Sequence, residues 1–160
     1  RIDRNRMNRY CRTVDPKFLE GVNRKKPRTM EELEDLWYQT QNADGNRYTH
    51  YNSSRYRVCN LHSFFHGHHT IEFRLFQFDC PHDGKQNGMH AGQVKSFIQL
   101  CLAINQLAKM VRTASPKPQQ TENEKYAMRC WMLRLGFIGD EFKTAREYYL
   151  NNMEGNSAWR

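Results

Sequence analysis

Between Thr70 and Phe76 the chain reads Thr70-Ile71-Glu72-Phe73-Arg74-Leu75-Phe76, and two of these residues have chemistry to offer. Along a strand successive side chains alternate faces, so Glu72 and Arg74 share one side, roughly 7 Å apart, with Thr70 and Phe76. Ile71, Phe73 and Leu75 are then expected to form an apolar face for a core. A charge within an apolar strand is expensive to bury unless it is paired or meets an ion. A carboxylate can hold a divalent cation and a guanidinium can grip a phosphate, so the pair suits a nucleotide site. The same spacing also describes a half-exposed strand with a local ion pair. Charge placement alone leaves both readings open.

Such residues need neighbours to position them. A second strand is expected near Tyr56–Leu61, joined to Thr70–Phe76 by a His-rich loop from Ser63 to His69. On that neighbour, Asn60 and His62 would point to the same face as Tyr56. Upstream, Asn42-Ala43-Asp44-Gly45-Asn46 reads as a turn cluster, with Asp44-Gly45 suited to a tight reversal. Thr29-Met30-Glu31-Glu32 is a capping box opening a helix that places Leu33, Leu36 and Trp37 at helical spacing. Residues 1–28, interrupted by Pro16 and Pro27, read as irregular apart from one short helix around Pro16 to Val22.

Asp79 to Gly92 carries Pro81, Gly84, Gly88 and Gly92 and reads as a loop. The second half is helical. Val94, Phe97, Ile98, Cys101, Ile104, Ala108 and Val111 mark one face of a long helix. Leu100, Leu102 and Leu107 widen that stripe toward burial on more than one side. After the linker Ser115-Pro116-Lys117-Pro118, Thr121-Glu122-Asn123-Glu124 is a second capping box, for a helix through Trp131 and Leu135 ended by Gly136. Asp140 is expected to cap a last helix with Phe142, Ala145, Tyr149 and Met153 on one face. Strands before helices give an α+β fold, read as one domain over 1–160.

At 160 residues the chain is long enough for a real core, and 12% aromatic content argues against a disordered polymer despite a mean hydropathy of −0.94. No apolar run approaches the roughly 18 to 20 residues that cross a bilayer, and no signal-peptide pattern opens the chain. Cys11, Cys59, Cys80, Cys101 and Cys130 are odd in number and contain no Cys-x-x-Cys pair, which points to a reducing cytoplasm. The net charge of +8 is uneven: residues 1–28 hold ten Lys or Arg against Asp3, Asp15 and Glu20. This basic arm attracts nucleic acid or phosphate, or is simply a solvated tail.

Several strings, taken in order, resemble the amidoligase family of the glutamine synthetase and glutamate–cysteine ligase superfamily. They are Asn8-Arg9-Tyr10-Cys11-Arg12, Arg55-Tyr56-Arg57-Val58-Cys59-Asn60-Leu61-His62-Ser63, Thr70 to Phe76, His90-Ala91-Gly92-Gln93-Val94 and Leu135-Gly136-Phe137-Ile138-Gly139-Asp140. The resemblance implies an antiparallel sheet of the glutamine-synthetase-like type followed by a mainly helical half. It also implies an ATP-dependent ligase that phosphorylates a carboxylate and lets an amine displace the phosphate. Carried over residue by residue, Glu72 becomes a ligand for Mg²⁺ or Mn²⁺ and Arg74 a phosphate or carboxylate binder. Asn60, His62, Arg55 and Arg9 become substrate- or phosphate-binding candidates.

The implied partners are a carboxylate and an amine, peptides among them. The chain departs from the family pattern in lacking an early strand with a Glu-x-Glu string preceded by Gly. It is therefore expected to be the C-terminal portion of a ligase, completed by a missing half or another chain.

Two rivals arise from residue types. Cys59, His62, His66, His68, His69, Cys80 and His82 fall within 24 positions and include kinds of side chain that zinc takes. The spacing of Cys80-x-His82 is poor for structural zinc, and Cys59 and His62 would face opposite ways on a strand. The basic arm, interleaved with Tyr10 and Phe18, suits base stacking, yet no known nucleic-acid motif accompanies it. Trp37, Trp131, Trp159 and Tyr148-Tyr149 are read as core or interface aromatics of a folded interaction domain.

Overall fold

In a computed structural model, residues 4–41, 46–78, 90–151 and 153–158 are described. Chain contacts group into two compact units, residues 2–76 and 77–160. The expected Asp44-Gly45 turn, Cys80, His82, most of the Asp79 to Gly92 loop and Trp159 lie outside the described residues.

The N-terminal unit begins with helices α1 (Arg4–Arg9) and α2 (Pro16–Lys25). The short helix expected around Pro16 to Val22 is α2, which runs on to Lys25, whereas α1 falls where irregular chain was expected. Asp15 caps α2 by accepting from the Lys17 amide at 2.9 Å, with Pro16 in the first turn where its missing N–H is harmless. Helix α3 (Met30–Thr40) starts as its capping box requires, the Glu32 amide donating to Thr29 Oγ1 at 3.2 Å. Glu32 returns its carboxylate to the amide of Arg28, one residue before the cap.

Helices α2 and α3 meet through Phe18, Leu36 and Trp37, the buried core of this unit, with Val22, Leu33 and Phe65 packed around it. The rings of Phe18 and Trp37 lie edge to face at 5.0 Å. Gly21 permits this approach: a Cβ there would stand 2.8 Å from Leu36 Cδ1.

The sheet is smaller than the sequence predicts. Strand β1 (Cys59–Asn60) pairs antiparallel with β2 (Glu72–Phe73) in the register Cys59–Phe73 and Asn60–Glu72. Pairing extends a little further through Val58, whose amide donates to Arg12 O and whose carbonyl accepts from the Arg74 amide, both at 2.8 Å. Arg12 also bridges Arg57 in parallel fashion. Ile71, expected on the core face, is exposed, and Phe73 and Leu75 are only partly buried.

The His-rich stretch expected as a loop folds instead into a short helix, α4 (His62–His66). Buried Arg57 ties the unit together by donating to Thr13 O and Gln41 O at 2.9 and 2.8 Å. Burial, with Arg12 nearby, holds its basicity below that of a free guanidinium.

The C-terminal unit contains α5 (Ala91–Met110), α6 (Glu124–Arg134) and α7 (Lys143–Leu150). Helix α7 packs on both α5 and α6. Phe97 meets Tyr148 and Tyr149, and Tyr149 Oη donates to Ser96 O at 3.0 Å. Burial is confined to one side of α5. Phe97 and Leu100 face inward, whereas Ile98 and Leu102 are exposed, so the two-sided burial expected from the apolar stripe is absent.

Asn123, not Thr121, caps α6 through the Tyr126 amide, and Gly136 at φ 83° turns the chain after it. Asp140 opens a short 3₁₀ turn (Asp140–Phe142) without capping α7, and Met153 falls beyond that helix. Helices with a small antiparallel sheet make the chain α+β. Among the described residues no helix is long and apolar enough to cross a membrane.

Candidate active site

Antiparallel register places Asn60 beside Glu72, and the period-two spacing of the chain brings Arg74 to the same carboxylate. Asn60 Nδ2 donates to Glu72 Oε2 at 2.7 Å, and Arg74 Nε donates to Glu72 Oε1 at 2.9 Å. Asn60 is itself buried, and its Oδ1 accepts from the Ser63 amide in the first turn of α4, at 3.3 Å. The carboxylate is thereby fixed from one side by the sheet and from the other by a guanidinium. Burial alone would raise the Glu72 pKa, but the Asn60 and Arg74 hydrogen bonds and the charges of Arg74 and Arg55 outweigh it. The carboxyl is held below its usual range.

The cations around it stack on tyrosines. Arg74 lies 5.4 Å from the centre of the Tyr56 ring, and Arg55 lies 5.9 Å from the same ring and 5.2 Å from Tyr51. Tyr10 meets Tyr56 edge-on at 5.9 Å, and its carbonyl accepts from Arg74 at 3.5 Å. Planar guanidinium on aromatic ring is a favoured packing that leaves the fork's edge free to bond an anion. A ladder of Tyr51, Arg55, Tyr56 and Arg74 thus leads to Glu72, ending at a Tyr51 side chain that is 75% exposed. Sequence reasoning missed Tyr51 and Tyr56 as parts of the site. The signal available was the density of tyrosine and arginine from Tyr48 to Arg57, where Tyr48, Tyr51, Arg55, Tyr56 and Arg57 fall close together.

Other candidates stand apart from this cluster. His62 is the first residue of α4 and not a strand residue, so it does not share a sheet face with Asn60. It is buried against Tyr38, whose hydroxyl meets Nδ1 at 2.5 Å. Burial first, and the nearby His66 next, hold His62 below the usual imidazole pKa. Arg9 is exposed in the last turn of α1, although its neighbour Tyr10 does join the cluster. His66 Nε2 pairs with Glu34 Oε1 at 2.8 Å. Burial pushes the Cys59 thiol up to about 11, which keeps it protonated and a poor metal donor.

Among the described residues no three His, Cys, Asp or Glu side chains gather as a metal site. Glu72 fits a divalent cation as a single ligand. Two hydrogen bonds use only part of its acceptor capacity, and its side chain is 42% exposed. Magnesium is commonly held in that way, by one or two carboxylates with phosphate and water supplying the rest.

The family model described as Putative amidoligase enzyme matches residues 1–105, which include every residue of this cluster. No curated protein and no solved structure matches the chain.

Proposed function

Because the chain belongs to the amidoligase family, we propose that it joins a carboxylate to an amine at the expense of ATP, through an acyl phosphate. The observation that carries this reading is the Glu72-fixed Arg74 stacked on Tyr56 beside Arg55. A carboxylate resists amines until one oxygen becomes a leaving group. Its oxygen attacks the γ-phosphorus of ATP, ADP departs, and the amine then attacks the carbonyl carbon and expels phosphate. Negative charge spreads over the transferred phosphoryl oxygens during the first step, and preorganised guanidinium groups stabilise it.

In this scheme Arg74 contacts the phosphoryl or carboxylate oxygens, and Arg55 adds a second cation. Asn60 and Glu72 hold Arg74 in line. A divalent cation, when bound, neutralises phosphate charge, and Glu72 would be its ligand among the described residues. His62 supports α3 against α4 through Tyr38. The glutamine-synthetase-like sheet, with further strands and metal carboxylates supplied by another segment or chain, belongs to the same proposal.

The test uses a substrate carboxylate labelled with ¹⁸O. The acyl-phosphate route transfers one labelled oxygen to the released phosphate, so phosphate without label would overturn it. Arg74→Lys, which removes the planar fork while keeping the charge, is expected to lower turnover at least about tenfold with the fold intact. Unchanged turnover would remove Arg74 from the site.

A further inference from the structure

The C-terminal unit contains a pocket of about 170 Å³ bordered by α6 and α7. Its apolar wall includes Met132, Leu133, Phe137, Ile138 and Leu150. Met132 and Phe137 are fully buried beneath it, while Leu133 and Ile138 are exposed. Gly139 and two cations, Arg129 and Arg146, complete the lining, with no acidic residue there among the described residues. Arg129 donates one amino group to Ser157 O at 2.7 Å, and Arg146 donates one to Gly139 O at 2.7 Å and Phe137 O at 3.1 Å.

Carbonyls orient a guanidinium without neutralising it. Among the described residues neither arginine meets a carboxylate, and each keeps further N–H donors beyond those bonds. An apolar cavity of about 150 Å³ is large enough for a benzene ring. Shape therefore asks for a ring or a short branched chain, and charge asks for an anion.

We propose that this pocket binds a small free carboxylate carried on an aromatic or branched apolar body. The body packs on Met132, Phe137 and Leu150, and the carboxylate accepts charge-assisted hydrogen bonds from Arg129 and Arg146. The site stands on residues beyond the stretch matched by the family model, and it does not depend on the ligase reading.

Methyl resonances of the full chain, titrated with benzoate and with 4-methylpentanoate, provide the test, with benzyl alcohol as the neutral comparison. Leu133, Ile138 and Leu150 methyls should shift saturably with either acid, and the alcohol should bind at least about tenfold more weakly. Ile138→Glu places a repelling charge on an exposed rim position and should weaken acid binding about tenfold or more at unchanged circular dichroism. Equal affinity for acid and alcohol would overturn the proposal, as would no saturable shift with either acid or full binding by a folded Ile138→Glu chain. Should that variant unfold, the acid-to-alcohol ratio of the native chain decides alone.

Discussion

Replacing Glu72 by Gln keeps the shape of the side chain and removes one acceptor oxygen. Glu72 receives a hydrogen bond from Asn60 on one oxygen and from Arg74 on the other. A glutamine amide turned either way presents its own NH₂ to one of these donors, so one bond is lost in both orientations. An unmet buried donor costs about 1–3 kcal/mol, and Asn60 is 1% exposed. Water reaches the Glu72 side, so the charge contribution is discounted and the expected loss at pH 7 is about 1–2 kcal/mol.

The loss should depend on pH. The fold holds the Glu72 carboxyl below its ordinary value of 4.5, so its stabilisation is complete above that value. It disappears as pH falls through the lower folded-state pKa, and at pH values below that pKa the two chains should converge. Urea unfolding reads this through Trp37, buried in the core of the same unit, in a background with Trp131 and Trp159 changed to Phe. A difference under about 0.5 kcal/mol at pH 7, or one that persists undiminished in acid, would refute the claim that the fold grips the carboxylate.

Trp37→Ala should destabilise the N-terminal unit by about 3–5 kcal/mol, since the ring is fully buried and among the described residues its Nε1 has no hydrogen-bond partner that would complicate the loss. A much smaller change in urea midpoint would mean that α2 and α3 do not share this core. His62 is held neutral by burial, so stability should fall as pH drops below about 6.5, where the unfolded chain takes up the proton first. His62→Asn should flatten that slope in melting curves between about pH 7 and 5, and an unchanged slope would assign it to other groups. Alkylation of Cys59 at neutral pH should run on the order of a hundredfold slower than that of a free thiol, because its pKa is pushed up to about 11. Mass spectrometry of the labelled chain measures this, and rapid labelling would show that the thiol is not buried as described.

Helices were legible where periodicity and caps agreed. The stripe Leu33, Leu36, Trp37 with Thr29 before it gave α3 its start, and Asn123 lies within the string that announced α6. Helix α4 escaped because His62-Ser63-Phe64-Phe65-His66 has no polar–apolar rhythm; its anchor is tertiary, through Leu61 and Phe65 on the α2–α3 core. The strands were read too long for a related reason. Alternation reports what a segment would do beside a full partner, and here, among the described residues, the strands pair only at Cys59–Phe73 and Asn60–Glu72, with an extension through Val58 to Arg12 and Arg74. The apolar stripe of α5 was equally silent about which side packs. Ser96 and Phe97 receive α7, so Ile98 and Leu102 are left outside.

For the site, Glu72 and Arg74 could be paired from their spacing, and Asn60 joined them through strand register. The tyrosines could not, because a 3₁₀ turn at Ser53–Arg55 decides which way Arg55 and Tyr56 face. That missed part bears most on function. A structural ion pair is complete with one carboxylate and one guanidinium, and it needs no second cation stacked on the same ring. Here Arg55 shares Tyr56 with Arg74, and among the described residues Glu72, one negative charge felt by both, forms its direct ion pair with Arg74 alone. Two guanidinium groups near one ring repel unless anions balance both of them. The surplus positive charge is therefore itself a reason to expect a phosphate or carboxylate ligand, and it makes Glu72 the orienting partner of a cationic site.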